Sequence, residues 1–203
     1  MSQKITIGYW KGPGKVQPSR YLLEISGVEY QETLYTDPAQ WFGKDKYSLD
    51  LPFPNLPYLI DGDVKLTESE TIFDYLVNKL NMSELLGKES DRFIVDNLRN
   101  IFSDLCTSLF QVFQKQGEEK LKIFNCQILP KANDIHKFLK NKEYLLGYFT
   151  VADLYFLSFA RNFKSFMPEQ YEEFAGTFDA LKEKIESIPQ IASYISEGRH
   201  PIL

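Results

Sequence analysis

The sequence has little of what marks membrane, disulfide-linked and metal-binding proteins. Its two cysteines, Cys106 and Cys126, form neither a CxxC pair nor a Cys/His cluster, which argues against a disulfide framework, an enzymatic dithiol and a zinc site. No apolar stretch approaches the roughly 18 residues that cross a bilayer, and the N-terminus MSQKITIGYW lacks the apolar segment of a signal peptide. We therefore expect a reduced, metal-free cytoplasmic protein.

An excess of positive charge is also absent. The chain has 23 basic and 28 acidic residues and a formal net charge of −5, with no long basic run, which argues against binding nucleic acid or an anionic membrane surface. Hydrophobic residues make up 43% of the 203 residues, enough for the packed core of one large domain or two small ones. His136 and His200 stand alone in the sequence, and we expect no catalytic role for either.

Residues 1–80 combine strand and helix patterns in the order β-α-β followed by β-β-α. This order is typical of the thioredoxin-like fold, whose chemistry lies at the turn after the first strand. The stretch from Tyr9 to Gly12 occupies that turn in place of a CxxC motif, which excludes thiol–disulfide exchange by an enzyme cysteine there. The predicted elements are a strand at residues 4–10, a helix at 18–25 that Gly27 ends, a strand at 28–35, a loop at 36–50, strands at 56–60 and 63–66, and a helix capped by Thr67 or Ser69.

Pro57 interrupts the predicted third strand. Proline cannot donate to a strand ladder, so it must lie at an edge or follow a special peptide bond, and we predict a cis bond between Leu56 and Pro57. The backbone groups of Leu56 would then be open to an extended peptide, beside a helix N-terminus that carries Glu68 and Ser69. This combination suits one end of a small peptide with an amine and a carboxylate. Spacing alone is equally compatible with a hairpin that packs on a helix and binds nothing.

The second half of the chain has a helical pattern throughout. After a polar linker at residues 81–89, the apolar period becomes 3.6 and predicts an all-helical domain over residues 90–203. Thr150 and Asp153 have the spacing of a capping box for an apolar helix at 151–163, which we expect to form the core of this domain.

Two long helices are predicted between the linker and the capping box. Gly117 is expected to end the first of them, and Pro130 is expected to kink the second, at residues 118–139. The predicted buried face of the first helix consists of Ile94, Leu98, Ile101, Leu105, Leu109 and Val112.

Two segments of the first domain resemble a known family. The string FPNLPYLIDG at residues 53–62, followed by Thr67-Glu-Ser69, and the sequence Gly8-Tyr9-Trp10 at the end of the first strand are similar to the glutathione-binding segments of cytosolic glutathione transferases, closest to the mu class. The resemblance covers most of the chain and is strongest at residues 5–76. It implies an α+β architecture, in which a thioredoxin-like βαβ-ββα domain binds glutathione and an all-helical domain holds the electrophile site.

The resemblance also implies roles for individual residues. Tyr9 would donate a hydrogen bond to the glutathione sulfur, although alone it would be interpreted as an aromatic residue on the rim of the core. Phe53 would insert into a partner subunit of a homodimer, or else be a core phenylalanine. No cofactor beyond the co-substrate glutathione is implied. The other glutathione contacts implied are Trp10, Trp41, Lys46 with Lys44 as second choice, Asn55, Leu56, Pro57, Glu68, Ser69 and, from the neighbouring subunit, Asp104, whose alternative is a solvated helix carboxylate.

The chain departs from the mu pattern around the second substrate. The loop between Tyr35 and Trp41 is shorter than in the mu class, and the sequence ends at Leu203, before the tail that covers the electrophile in the family. Other departures are Gly12-Pro13, Lys15, Pro38 and Gln114. A sigma-like or unclassified transferase therefore stays open. The function implied is conjugation of glutathione to hydrophobic electrophiles in detoxification. The alternatives are a non-catalytic ligand-binding or structural relative, and a glutathione-dependent isomerase of the prostaglandin-synthase (sigma) type.

Overall fold

The first of two compact units contains the sheet. The computed structural model of the protein describes residues 4–201, and residues 4–82 with 193–201 form this unit; Leu203 lies outside the described range. The domain prediction assigned residues 193–201 to the helical half. The elements of this part are β1 Ile5–Trp10, α1 Gln17–Ser26, β2 Tyr30–Tyr35, α2 Pro38–Gln40, α3 Lys46–Ser48, β3 Tyr58–Asp61, β4 Val64–Thr67 and α4 Ser69–Lys79.

The sheet has four strands in the order β2-β1-β3-β4. Strand β1 is parallel to β2 and antiparallel to β3, and β3 is antiparallel to β4. A parallel β1-α1-β2 unit joined to an antiparallel hairpin and helix is the thioredoxin-like arrangement, so this part of the fold prediction is confirmed. Gly8 pairs with Tyr58 across β1 and β3. A Cβ atom at Gly8 would lie 2.2 Å from the Tyr58 ring, so only glycine fits between these strands.

Helices α1 and α4 bury apolar residues of the first unit. The predicted apolar face of α4, Ile72, Phe73 and Leu76, is fully buried, as are Leu22 and Leu23 on α1. Because removal of such side chains from water is the main favourable term in folding, these faces dictate how the two helices pack. Gly27 ends α1 in a left-handed conformation, as predicted.

The segment at residues 36–50 was predicted to be a loop but forms helical turns. Asp37 accepts a hydrogen bond from the Ala39 N–H at 2.8 Å and thereby caps α2. A π-helical turn, Trp41–Asp45, and α3 follow. The turns carry Trp41 into a buried cluster with Tyr35 and Tyr58. Burial of this large side chain stabilises a local structure that the polar sequence around it does not indicate.

The second unit, Ser83–Ala192, is helical. Helix α8 is almost entirely buried. The Thr150 N–H donates to Asp153 Oδ2 at 2.7 Å, and the Asp153 N–H donates to the Thr150 carbonyl at 3.1 Å, which fixes the start of α8 near its predicted position. A sheet-containing unit and a helical unit confirm the α+β class. The helices are α5 Arg92–Phe113, α6 Gly117–Ile123, α7 Leu129–Leu139, α8 Val151–Phe166, α9 Pro168–Tyr171, α10 Ala175–Glu186 and α11 Pro189–Ser196, which crosses the unit boundary.

The buried face of α5 differs from the predicted one. Ile94 is 45% exposed, whereas Val95 and Phe102 are fully buried. The buried stripe also includes Arg99, whose guanidinium lies 5.4 Å from the Tyr155 ring centre and 3.1 Å from Asp96. The prediction is therefore wrong at Ile94 and missed the buried Val95, Arg99 and Phe102. The other predicted positions are buried, or partly buried in the case of Ile101: Leu98, Ile101, Leu105, Leu109 and Val112.

The second long helix begins within one residue of its predicted start and is divided. A π-helical segment, Phe124–Ile128, separates α6 from α7. Pro130 lies in the first turn of α7, where its missing N–H costs least. Gly117 begins α6 and does not end α5, which stops at Phe113. Among residues 4–201, no helix is long and apolar enough to cross a membrane.

Candidate glutathione site at the sheet end

One end of the sheet brings together most of the predicted site residues. Gly8 pairs with Tyr58, and Tyr58 pairs with Thr67. One step further along each pairing, Pro57 falls opposite both Tyr9 and Glu68. The peptide bond between Leu56 and Pro57 is cis, as predicted. Three adjacent strands therefore deliver a hydroxyl, a strand edge and a helix N-terminus to the same end of the sheet.

The Tyr9 side chain is held by the loop that follows β1. Its ring lies against Gly14, where an added Cβ atom would meet the ring at 2.3 Å. Gly14 also has a φ of +40°, which other residues adopt with strain. The Lys15 N–H donates to the Tyr9 hydroxyl at 3.3 Å. A hydroxyl that accepts this bond still carries its own proton and can donate it.

A buried arginine forms hydrogen bonds with the loop that follows β1. The Arg20 side chain is fully buried, and its Nε donates to Glu32 at 2.6 Å. Its Nη1 donates to the carbonyls of Gly12 and Pro13 at 2.7 and 3.2 Å. Arg20 was not singled out from the sequence alone. The missed signal is a single arginine within an apolar helix, which needs a carboxylate partner when it is buried.

Glu68 is the N-cap of α4, which corrects the assignment of that position to Thr67 or Ser69. Its backbone has φ +70° and ψ 119°, outside the regions that residues other than glycine favour. Such strain persists only where surrounding structure enforces it and is concentrated at functional sites. The exposed Glu68 side chain makes no capping bond, and it accepts from Asn55 Nδ2 at 3.1 Å. This bond ties Asn55 to the helix that starts at Ser69.

An aromatic cluster packs beside the strand end. Trp41 is 3% exposed and stacks on Tyr58 with 6.1 Å between ring centres. Trp10 and Leu56 pack against the same cluster. Trp41 therefore lies next to Leu56 as part of a wall, with almost none of its ring open to solvent.

Lys46 lies at the edge of this wall. Its Nζ is 5.4 Å from the centre of the Phe42 ring and 5.7 Å from that of Tyr47. The centres of the Phe42 and Trp10 rings are 6.1 Å apart. Lys44, by contrast, is exposed. Lys46 is thus the lysine whose position is linked to Trp10 through packed rings.

Two predicted residues have surroundings other than the strand-end residues. Asp104 belongs to α5 of the helical unit, where it is exposed and pairs with Lys131 at 3.4 Å. Phe53 is 81% exposed, so it is not a core phenylalanine of this chain.

The helical unit carries an aromatic surface that the sequence did not indicate. Phe110 and Phe113 are each about half exposed, and the Phe113 ring lies 4.9 Å from that of Phe166 on α8. We call these three residues the phenylalanine surface. Within residues 4–201, no group of three or more His, Cys, Asp or Glu side chains is arranged to hold a metal ion.

Comparison with known proteins accounts for both units. Residues 5–78 match the family model for the glutathione S-transferase N-terminal domain, and residues 99–198 match that for the C-terminal domain. The chain belongs to the glutathione S-transferase family. Glutathione S-transferase 2 of Gallus gallus is 34% identical, with 96% of this chain and 91% of that protein covered.

Other similar transferases carry mu-class names. The class-mu 26 kDa isozyme of Schistosoma japonicum is 34% identical over 96% of this chain and 89% of that protein. Glutathione S-transferase Mu 2 of Homo sapiens is 32% identical over 96% and 92%. Among solved structures, rat hPGDS complexed with a quinoline has a TM-score of 0.80 at 23% identity, covering 99% of both chains, which supports the fold of this transferase. The recognition of a mu-like glutathione transferase is confirmed.

Proposed function

We propose that the protein conjugates the thiolate of reduced glutathione to hydrophobic electrophiles, with Tyr9 as the catalytic residue. The observation that carries the proposal is the meeting of Tyr9, the Leu56 strand edge and the start of α4 at one end of the sheet. A scaffold without this chemistry has no evident need for a strained Glu68 beside a glycine-supported tyrosine.

The proposed role of Tyr9 follows from the acidity of thiols. A free thiol has a pKa of about 8.5, so only a few per cent is thiolate at pH 7. Lowering that pKa by about two units requires about 2.7 kcal/mol. One hydrogen bond to a charged group contributes about 1.5–3 kcal/mol, and a tyrosine hydroxyl donates while remaining protonated at neutral pH. Tyr9 can therefore supply most of the stabilisation of the thiolate.

The remaining contacts are proposed to hold glutathione along the strand end. Leu56 would pair with the cysteinyl backbone through its N–H and carbonyl. The γ-glutamyl carboxylate would meet the N–H groups of the first turn of α4, which begins at Ser69, and its amine would meet Glu68. Trp41 and Lys46 would receive the glycyl carboxylate. Asn55 would support Glu68 through the bond between them.

We further propose that the helical unit binds an apolar electrophile through its phenylalanine surface. A flat apolar molecule can stack on exposed rings such as Phe113, whose edge and face geometry favours aromatic partners. The thiolate sulfur then forms a bond to the electrophilic carbon. In a substitution the leaving group departs with the electron pair; in an addition to an activated double bond the resulting carbanion takes a proton.

A homodimer with shared sites completes the proposal. Phe53 is 81% exposed, which is costly for a phenylalanine in water and suits insertion into a second copy. Asp104 would reach the γ-glutamyl amine of the neighbouring subunit, giving a two-fold assembly in which each site uses both chains.

Steady-state kinetics of Tyr9→Phe tests the catalytic assignment. We expect a loss of turnover of tenfold or more with an aromatic electrophile, while glutathione affinity changes little, because the hydroxyl acts on the thiolate and contributes little to holding the peptide. Wild-type turnover in the variant would remove Tyr9 from its role.

A further inference from the structure

The segment of residues 12–15 contacts Tyr9 and helps to fix its position. That segment is short, contains Gly12 and Gly14, and carries Lys15 exposed at its end. Gly14 contacts the ring, and the Lys15 N–H donates to the hydroxyl. A loop rich in glycine has many conformations open to it, so something must select the one in which both contacts exist.

The guanidinium of Arg20 binds this loop. It bonds to the carbonyls of Gly12 and Pro13, at 2.7 and 3.2 Å, directly before Gly14. The same group forms an ion pair with Glu32 on β2 and also donates to Gln17 at 3.0 Å. Arg20 therefore links the loop to β2. This strand is parallel to β1, and β1 carries Tyr9.

We propose that Arg20 is a positioning residue for Tyr9, which sets the acidity of bound glutathione by holding the Gly12–Lys15 loop against the tyrosine. The proposal rests on the function assigned to Tyr9 above and deepens it. Hydrogen bonds lose strength steeply with poor distance and angle, and a shift of about 1 Å in a reacting group can cost as much as a hundredfold in rate. A loosened loop would leave glutathione bound but less ionised.

Arg20→Lys is the first test, because it keeps the positive charge and removes the fork. A single ammonium nitrogen replaces a guanidinium whose Nε and Nη2 reach Glu32 while its Nη1 reaches both carbonyls. We expect the pKa of the thiol of bound glutathione, followed by thiolate absorbance against pH, to rise by about one unit, with the dissociation constant for glutathione changed less than about twofold. The matched control is Arg199→Lys. It weakens the ion pair between Arg199 and Glu24, a residue on the same helix as Arg20, and leaves the contacts of the loop unchanged.

Gly14→Ala tests the contact between the loop and the Tyr9 ring and leaves Arg20 unchanged. The added Cβ atom would press on the Tyr9 ring at 2.3 Å, so the thiol pKa should rise as in Arg20→Lys. Gly27→Ala is its control, since Gly27 also has a positive φ of 68° but no atom within 4 Å of an added Cβ. The control carries the backbone strain without displacing Tyr9, and its thiol pKa should equal that of the wild type.

A double-variant comparison separates positioning from general destabilisation. In a Tyr9→Phe background, Arg20→Lys should add no further rise in the thiol pKa, because the hydroxyl that it positions is gone. A rise of the same size in both backgrounds would overturn the proposal. So would an unchanged thiol pKa in Arg20→Lys and Gly14→Ala alongside a raised one in Tyr9→Phe, a result that leaves the proposed function standing. An unchanged pKa in Tyr9→Phe itself would instead overturn the proposed function, and the positioning role with it.

Discussion

Each unit of the protein buries a charged side chain, and the two differ in what they hold. Arg20 in the first unit bonds to Glu32 and to carbonyls of the loop beside Tyr9. Asp153 in the second unit accepts from the N–H groups of Leu145 and Thr150, at 3.0 and 2.7 Å, and so fixes the start of α8. In both cases several hydrogen bonds offset the free-energy cost of removing the charged group from water.

Arg20 and Asp153 differ in what their hydrogen bonds support: a loop beside the candidate site for Arg20, and the packed core for Asp153. Two of the carbonyls that Arg20 binds belong to the loop whose Gly14 contacts the Tyr9 ring, so a change at Arg20 should alter the strand end. The partners of Asp153 belong to the buried core around α8, which includes Phe156, Phe159 and Phe163. We therefore expect variants of the first residue to alter chemistry and variants of the second to alter stability.

Asp153→Ala is the change with the largest expected effect. It leaves the buried N–H groups of Leu145 and Thr150 without their acceptor, at a cost of about 1–3 kcal/mol for each group, so we expect a loss of about 2–4 kcal/mol in the free energy of unfolding, measured with urea. Turnover per folded molecule should equal that of the wild type. A variant that is fully stable but catalytically impaired would break the distinction between the units.

The same variant has a characteristic pH dependence. Burial raises the pKa of Asp153 to about 6, so the folded protein binds this proton more tightly than the unfolded chain does. The contribution of Asp153 to stability therefore falls as pH rises from about 4 to about 6. The free-energy difference between wild type and Asp153→Ala should be larger at pH 4 than at pH 7, by up to about 3 kcal/mol. A difference that grows with pH would contradict the assignment.

Phe113→Ala sharpens the comparison inside the helical unit. Removing a ring of the phenylalanine surface should raise KM for an aromatic electrophile about tenfold and leave KM for glutathione unchanged. A tenfold change is about 1.4 kcal/mol, slightly less than the roughly 1.5–3 kcal/mol of one fully buried aromatic side chain. Phe93→Ala is the matched control, since Phe93 is 86% exposed on the same helix and lies outside that surface. Equal effects of the two substitutions would remove the electrophile from the phenylalanine surface.

Asp104→Asn should have the smallest effect and tests the shared site. Loss of one exposed charge near the ligand amine should weaken glutathione binding about threefold, in line with about 0.2–1 kcal/mol for an exposed ion pair. Lys131→Gln removes the partner of Asp104 within the chain and should leave affinity as it is. Matching titration curves for wild type and Asp104→Asn would sink the composite site.

The sequence was sufficient for the hairpin of β3 and β4 and for the cis bond at Pro57, because both follow from local signals: the turn at Asp61-Gly62 and a proline inside a strand. It failed where a polar residue is buried or a large one is carried inward by a helical turn. Arg99 was not predicted to belong to the buried face of α5, and Trp41 is buried although its segment was expected to form a loop. Such residues depend on partners distant in sequence, which spacing does not reveal.

The strained N-cap at Glu68 and the contact between Gly14 and Tyr9 were missed for a related reason. Both depend on backbone conformation, φ +70° at Glu68 and +40° at Gly14. Residue type alone identified Glu68 as a ligand candidate but assigned the cap to its neighbours. The roles of Gly14 and Glu68 depend on the residues packed around them, which only the folded structure shows.

The measurement that tests the central claim most directly is the pKa of the glutathione thiol when bound to the wild-type protein and to Tyr9→Phe. Thiolate absorbance is followed against pH at saturating glutathione, with the same titration of free glutathione as reference. We predict a thiol pKa about two units below the free value of about 8.5 in the wild type, and a rise of at least one unit in Tyr9→Phe. Bound glutathione that titrates like free glutathione in both proteins would contradict the account.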